Sequence, residues 1–202
     1  MSKYFHEDKI INLKVCQDII ANYELIKKEI ISFCDEPDAL VNYPNYPIPG
    51  YSSIYGKYWK AAPLSIFRDE HVELNGTPEL KENLLQLTSI ARSKCPTYVK
   101  CISELEQEGN LANSFISRLI PGSVINPHYG WTKNWMRVHL GIICDPKCMI
   151  TVGEETKVWE EGKFLAFYDG GDYPHSVVYK GTKERIVVSM DISCSYIEHY
   201  NR

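Results

Sequence analysis

The sequence predicts a mainly β domain, a two-sheet sandwich or jelly roll preceded by helices that pack on its outer face. Three observations predict it. From about residue 113 onward, short apolar runs recur between turn residues at roughly eight- to twelve-residue intervals. Ahead of that point, apolar residues recur at helical steps. The length of 202 residues and 44% hydrophobic content suit one domain, 1–202, with a helical and loop part (1–112) and a core barrel (113–192).

Ile11, Val15, Ile19, Tyr23, Ile26, Ile30 and Phe33 fall on one face of a helix that Asp35, Glu36 and Pro37 end. Residues 37–63 are punctuated by Pro and Gly and read as loop. Tyr43, Tyr46, Tyr51, Tyr55, Tyr58 and Trp59 lie there, either covering the core or walling a ligand. A second helix is expected over 78–92, with Thr77 as N-cap and Leu80, Leu84, Leu85, Leu87 and Ile90 as its apolar residues. The strands are expected at 114–120, 124–126, 136–143, 149–152, 157–159, 164–168, 176–179 and 185–192.

Composition narrows the function. The formal charge is −4 and no Lys/Arg run occurs, so nucleic acid and anionic membranes are not expected partners. No apolar stretch is long enough to span a bilayer, and residues 1–9 lack the apolar centre of a signal peptide. With an odd count of seven cysteines, this points to a reducing, cytoplasmic setting. Cys144 and Cys148 form a C-x3-C pair, readable as half a zinc site or as two free thiols near a turn.

The polar residues that stand out lie in the barrel part. Asn126-Pro127-His128-Tyr129-Gly130 is followed by Arg137 and His139, and Asp172-Tyr173-Pro174-His175 comes 47 residues after His128. A lone histidine beside a strand is usually structural. Two that each follow a Pro at a strand edge suggest rings held still for a metal, since neutral imidazole is the commonest metal ligand. Arg137 and His139 share one strand face. Arg185 opens an apolar strand, where it is either exposed or buried against an anion. Together these residues imply a metal site beside a pocket for a small dianion.

The stretches PGSVINPHYG (121–130), RVHLGI (137–142), VGEETKVWEEGKFLAFYDGGDYPHSV (152–177) and RIVVSMDI (185–192) resemble the aspartyl/asparaginyl β-hydroxylase family of iron(II)- and 2-oxoglutarate-dependent oxygenases. The resemblance covers residues 114–192, about 40% of the chain. It implies a double-stranded β-helix (cupin-like jelly roll). It makes His128 and His175 the catalytic iron ligands, and Arg185 with Ser117 the contacts for the distal carboxylate of 2-oxoglutarate. Arg137 and His139 would lie near the cosubstrate's oxalyl end. The implied reaction takes O2 and 2-oxoglutarate, releases succinate and CO2, and hydroxylates an unactivated carbon.

Most related oxygenases carry a carboxylate two residues after the first histidine, where this chain has Gly130. The family shares that gap. So do radical halogenases, which fill it with chloride, so halogenation is one alternative and a non-catalytic 2-oxoglutarate-binding relic another. The expected substrate is an amino acid, a small natural-product precursor or a peptidyl Asp/Asn-type residue. Trp131, Lys133, Asn134 and Asp172 are the substrate-contact candidates, with Lys133 the cation for a substrate carboxylate.

Overall fold

The computed structural model describes residues 2–42, 59–66, 78–130 and 133–202. Its helices are α1 (Glu7–Ile10), α2 (Lys14–Ala21), α3 (Tyr23–Cys34), α4 (Pro78–Lys94), α5 (Pro96–Gln107) and α6 (Cys194–Tyr200). The helix expected over 11–33 is broken at Asn22, which has φ −111° and ψ 13°. The Asn22 side chain donates to the Asp18 carbonyl at 2.8 Å, so it competes with the backbone for helical acceptors. Ile11 falls in the turn ahead of α2 and is 38% exposed.

Helix α4 turns a different face inward from the one expected. Leu84, Thr88 and Ala91 are buried, whereas Leu85 and Ile90 are exposed. Arg92 sets this rotation by donating to the Leu64 carbonyl at 2.8 Å and pairing with Glu106. The expected Thr77 cap lies outside the described residues. Helix α5, which the periodicity reading passed over, starts with Pro96 in its first turn and buries Tyr98, Ile102 and Leu105. Glu29 accepts from the Thr97 N–H at 3.1 Å and so satisfies a donor at its N-terminus.

The strands are β1 (Val41–Asn42), β2 (Trp59–Ser65), β3 (Leu111–Leu119), β4 (Val124–His128), β5 (Trp135–Ile143), β6 (Cys148–Val152), β7 (Glu155–Val158), β8 (Phe164–Tyr168), β9 (His175–Tyr179) and β10 (Arg185–Ser193). Every strand expected from residue 114 onward is present, with ends shifted by a few residues. Strand β2 falls where a loop was expected. Apart from Lys60 its residues are buried, so it lacks the alternation that betrays a half-buried strand.

The strands form two antiparallel sheets, ordered β1-β2-β3-β10-β5-β8 and β4-β9-β6-β7. Packed face to face they make the double-stranded β-helix, or jelly roll. The larger sheet carries two cores. Ile186, Val188, Met190 and Ile192 of β10, with Met136, Val138, Leu140 and Ile142 of β5, pack against residues of α2, α3 and α5. Val187, Leu165, Phe167, Phe115, Val177 and Ile150 pack between the sheets. The period of two therefore sends Arg185, Ser189 and Asp191 of β10, and Arg137 and His139 of β5, into the interior between the sheets. Among the described residues no helix is long and apolar enough to cross a membrane.

Candidate active site

His128 ends β4 and His175 begins β9, and the register pairs them directly. Their ring centroids are 4.1 Å apart with planes inclined by 54°. Nδ1 of His128 lies 2.8 Å from the Asn126 carbonyl oxygen. A carbonyl only accepts, so Nδ1 carries the proton and Nε2 keeps its lone pair for a metal. His175 is buried, and its Nδ1 has no hydrogen-bond partner among the described residues. Burial lowers the pKa of both rings, that of His175 well below the usual value, and Arg137 adds to the effect. Both therefore stand neutral, the form that binds a metal.

Asp169, which sequence reasoning missed, stands beside this pair. It is 4% exposed and its Oδ1 lies 3.3 Å from His175 Nε2. Its backbone carbonyl accepts from the Gly130 N–H at 2.8 Å. A Cβ on Gly130 would come within 1.8 Å of Asp169 Oδ2. A carboxylate from the β8–β9 turn thus occupies the space that a side chain at position 130 would need. The available signal was an acid placed directly after the apolar strand 164–168.

Arg137 was expected near the oxalyl end of a cosubstrate. In the structure it engages the protein's own carboxylates. Its Nε and Nη2 reach Asp191 Oδ1 and Oδ2 at 2.6 and 3.0 Å, and Nη2 also reaches Asp169 at 3.1 Å. Asn113 donates to the same Asp191 at 2.7 Å. The sequence reading had assigned Asp191 no role.

Arg185 closes the other end of the interior and is 3% exposed, so the exposed alternative does not hold. Its Nη2 donates to Ser117 Oγ at 3.1 Å, and its Cζ lies 4.9 Å from the centre of the Trp159 ring. Among the described residues no carboxylate pairs with it, and its Nε has no acceptor. Ser117 Oγ also accepts from Trp59 Nε1 at 2.9 Å, so both its lone pairs are taken and its proton is left to donate. Tyr179 is buried near Arg185 and its hydroxyl lacks a partner among the described residues. Arg185 Nε and the Tyr179 hydroxyl, without partners among the described residues, together with the Ser117 proton fit the distal carboxylate of a small dianion.

His139 lies between the two ends. Its Nδ1 accepts from Trp159 Nε1 at 3.2 Å, and burial, Arg137 and Arg185 keep it neutral. Phe167 packs on His139 and His175, with centroid distances of 5.6 and 5.1 Å.

Lys133 and Asp172 are exposed and form an ion pair with each other. Asn134 is exposed, and its carbonyl accepts from the Cys194 N–H at 2.9 Å. Trp131 and the aromatics at 43–58 lie outside the described residues. Cys144 and Cys148 are free, and burial raises their thiol pKa values to about 12 and about 11, so they sit protonated. No third His, Cys, Asp or Glu groups with them among the described residues.

The model of the aspartyl/asparaginyl beta-hydroxylase family matches residues 20–194. Aspartate beta-hydroxylase domain-containing protein 2 of Mus musculus is 36% identical over 105 residues, covering 49% of this chain and 30% of that protein. The aspartyl/asparaginyl beta-hydroxylase of Homo sapiens is 37% identical over 73 residues, covering 36% of this chain and 9% of that protein. The match therefore spans less than a third of the length of these curated relatives. Among solved structures, an oxidoreductase of the 2OG-Fe(II) oxygenase family from Burkholderia pseudomallei aligns with a TM-score of 0.45 at 12% identity, over 86% of this chain and 78% of that one.

Proposed function

The chain belongs to the aspartyl/asparaginyl beta-hydroxylase family, and from that premise we propose that it is an iron(II)- and 2-oxoglutarate-dependent dioxygenase that hydroxylates an unactivated carbon. One observation carries the reading: a buried arginine with no carboxylate partner among the described residues faces, across one interior, two neutral histidines on paired strands. A buried cation without a counter-ion is expensive, and a dianionic cosubstrate reaching from Arg185 to the histidines would supply the missing charge.

His128 and His175 would hold the iron. Arg185, Ser117 and Tyr179 would bind the distal carboxylate of 2-oxoglutarate, and His139 would reach its other end. When bound, iron and 2-oxoglutarate together supply the O2 activation that no side chain can provide. The chain's own residues do the rest. Phe167 and Trp159 exclude water between the two ends. Asp169 offers a carboxylate on the His175 side, near enough to accept a hydrogen bond from a water held there. Arg137 Nη2, 3.1 Å from that carboxylate, holds it in orientation.

The surroundings of Gly130 argue against the halogenase alternative. A halide needs a slot free of negative charge, and Asp169 Oδ2 stands where a side chain at Gly130 would begin. The substrate is an amino acid, a small precursor or an Asp/Asn-type residue in a peptide, and the proposed setting is the cytoplasm. Iron-dependent succinate release, followed with product mass, tests the reaction. A gain of one oxygen is expected, and His128→Ala and His175→Ala should each abolish it. Turnover retained in both variants, or calorimetry showing no 2-oxoglutarate binding with Mn(II) under anaerobic conditions, would refute the proposal.

A further inference from the structure

Trp159 contacts one residue proposed for each end of the cosubstrate, His139 and Arg185, yet it is no ligand itself. It is 4% exposed, donates its indole N–H to His139 Nδ1 at 3.2 Å and lies under the Arg185 guanidinium at 4.9 Å. An indole N–H can only donate, so His139 Nδ1 must be the bare nitrogen and Nε2 must carry the proton. We infer that Trp159 is the positioning residue of the cosubstrate pocket: it fixes His139 as the Nε2–H tautomer, a donor for a carboxylate, while stacking Arg185 in place for the other carboxylate. This rests on the cosubstrate reading given above.

Backbone packing holds Trp159 there. The turn that follows it docks on β5: Gly141 N–H donates to the Lys163 carbonyl at 3.1 Å, and Gly162 N–H donates back to the Gly141 carbonyl at 3.0 Å. A Cβ on Gly141 would come within 2.1 Å of the Glu160 carbonyl oxygen. Only glycine lets the two segments approach so closely. The Tyr23 hydroxyl donates to the same Gly141 carbonyl at 2.9 Å, which fixes the joint to the helical layer. The R-x-H-L-G and W-E-E-G-K stretches are therefore two halves of one joint, and its product is a histidine with a single tautomer.

The test reads the tautomer directly, without metal or cosubstrate. Long-range proton–nitrogen correlation spectra of 15N-histidine protein, stripped of metal and held near neutral pH, assign His139 by its loss in His139→Gln. The wild type should show only the Nε2–H form. Trp159→Phe keeps a ring under Arg185 but removes the donor, and should show both tautomers, with 2-oxoglutarate affinity in the presence of Mn(II) reduced roughly fivefold. Trp159→Leu also removes the stacking and should lose roughly fiftyfold. A single Nε2–H tautomer persisting in Trp159→Phe, or an Nδ1–H form in the wild type, would overturn the inference. If the wild type shows the expected tautomer but binds no 2-oxoglutarate, the cosubstrate reading fails while the tautomer assignment stands.

Discussion

The two ends of the interior treat buried charge in opposite ways. Near the histidine pair, Arg137 is held between Asp191 and Asp169, and Asn113 completes the network. At the far end Arg185 has a hydroxyl and an aromatic face as partners, with no carboxylate among the described residues. Both guanidiniums are largely removed from water, so the difference is one of bookkeeping by the fold. Where the protein supplies the counter-charge, the network stabilises the folded chain. Where the described residues withhold it, the proposed cosubstrate would bring it.

The largest effect should come from breaking the unbalanced end. Arg185→Met should weaken 2-oxoglutarate binding by on the order of a thousandfold, while the ligand-free protein melts no lower than the wild type. Calorimetry and a thermal melt check the two halves, and a clear drop in the melting midpoint would mean that Arg185 is structurally paired after all. Asp191→Asn tests the balanced end. It should cost about 3 kcal/mol of unfolding free energy by leaving Arg137 short of a partner, read as a lower urea midpoint at unchanged slope. An unaltered midpoint would remove the contrast.

A third effect is smaller and depends on pH. His128, His139 and His175 have pKa values lowered by burial, the last two strongly. Below the unfolded value of about 6.5 the unfolded chain takes up protons that the folded chain refuses. Stability should therefore be highest above that pH and fall as pH drops below it, by at most about 1.4 kcal/mol per pH unit for each ring that stays neutral. Burial of Asp191 raises its carboxyl pKa and works in the opposite sense. His139→Gln should flatten the slope of melting midpoint against pH, and an unchanged slope would locate the dependence elsewhere. The smallest effect belongs to the exposed pair. Lys133→Met should leave the melting midpoint unmoved and raise KM for an anionic substrate, and an unchanged KM would end its role as a substrate anchor.

Much of the barrel was legible because most of its strands lie between turn residues, with apolar residues at every second position. Strand β2 was not, since both its faces are covered and Pro63 sits within it. The break at Asn22 depends on one side-chain hydrogen bond, which apolar spacing does not register. In the site, His128 and His175 stand out because each follows a Pro at a strand edge, and Arg185 because it opens an apolar strand, whereas Ser117 is picked out only by the family resemblance. Asp169 does not stand out, because a carboxylate just after a strand is ordinary until its partners are known; Asp191 lies inside β10, where its place between Met190 and Ile192 was the unused signal. Arg137 was noticed for the right reason, being a cation on an interior face, but its partners come from β10 and from the β8–β9 turn, and only the folded chain brings them together.

Strand β10 follows every other described strand in the sequence, yet it lies between β3 and β5 in the larger sheet. A nascent or truncated chain ending before Arg185 would have β3 and β5 both presenting unpaired inner edges, each with an apolar face toward the helices. Such a chain is a template for edge-to-edge aggregation. It would lack Arg185 and Asp191 together, so binding competence and solubility arrive with the same nine residues of synthesis. A nonsense codon anywhere between 160 and 184 should therefore yield insoluble protein, not a weakened enzyme.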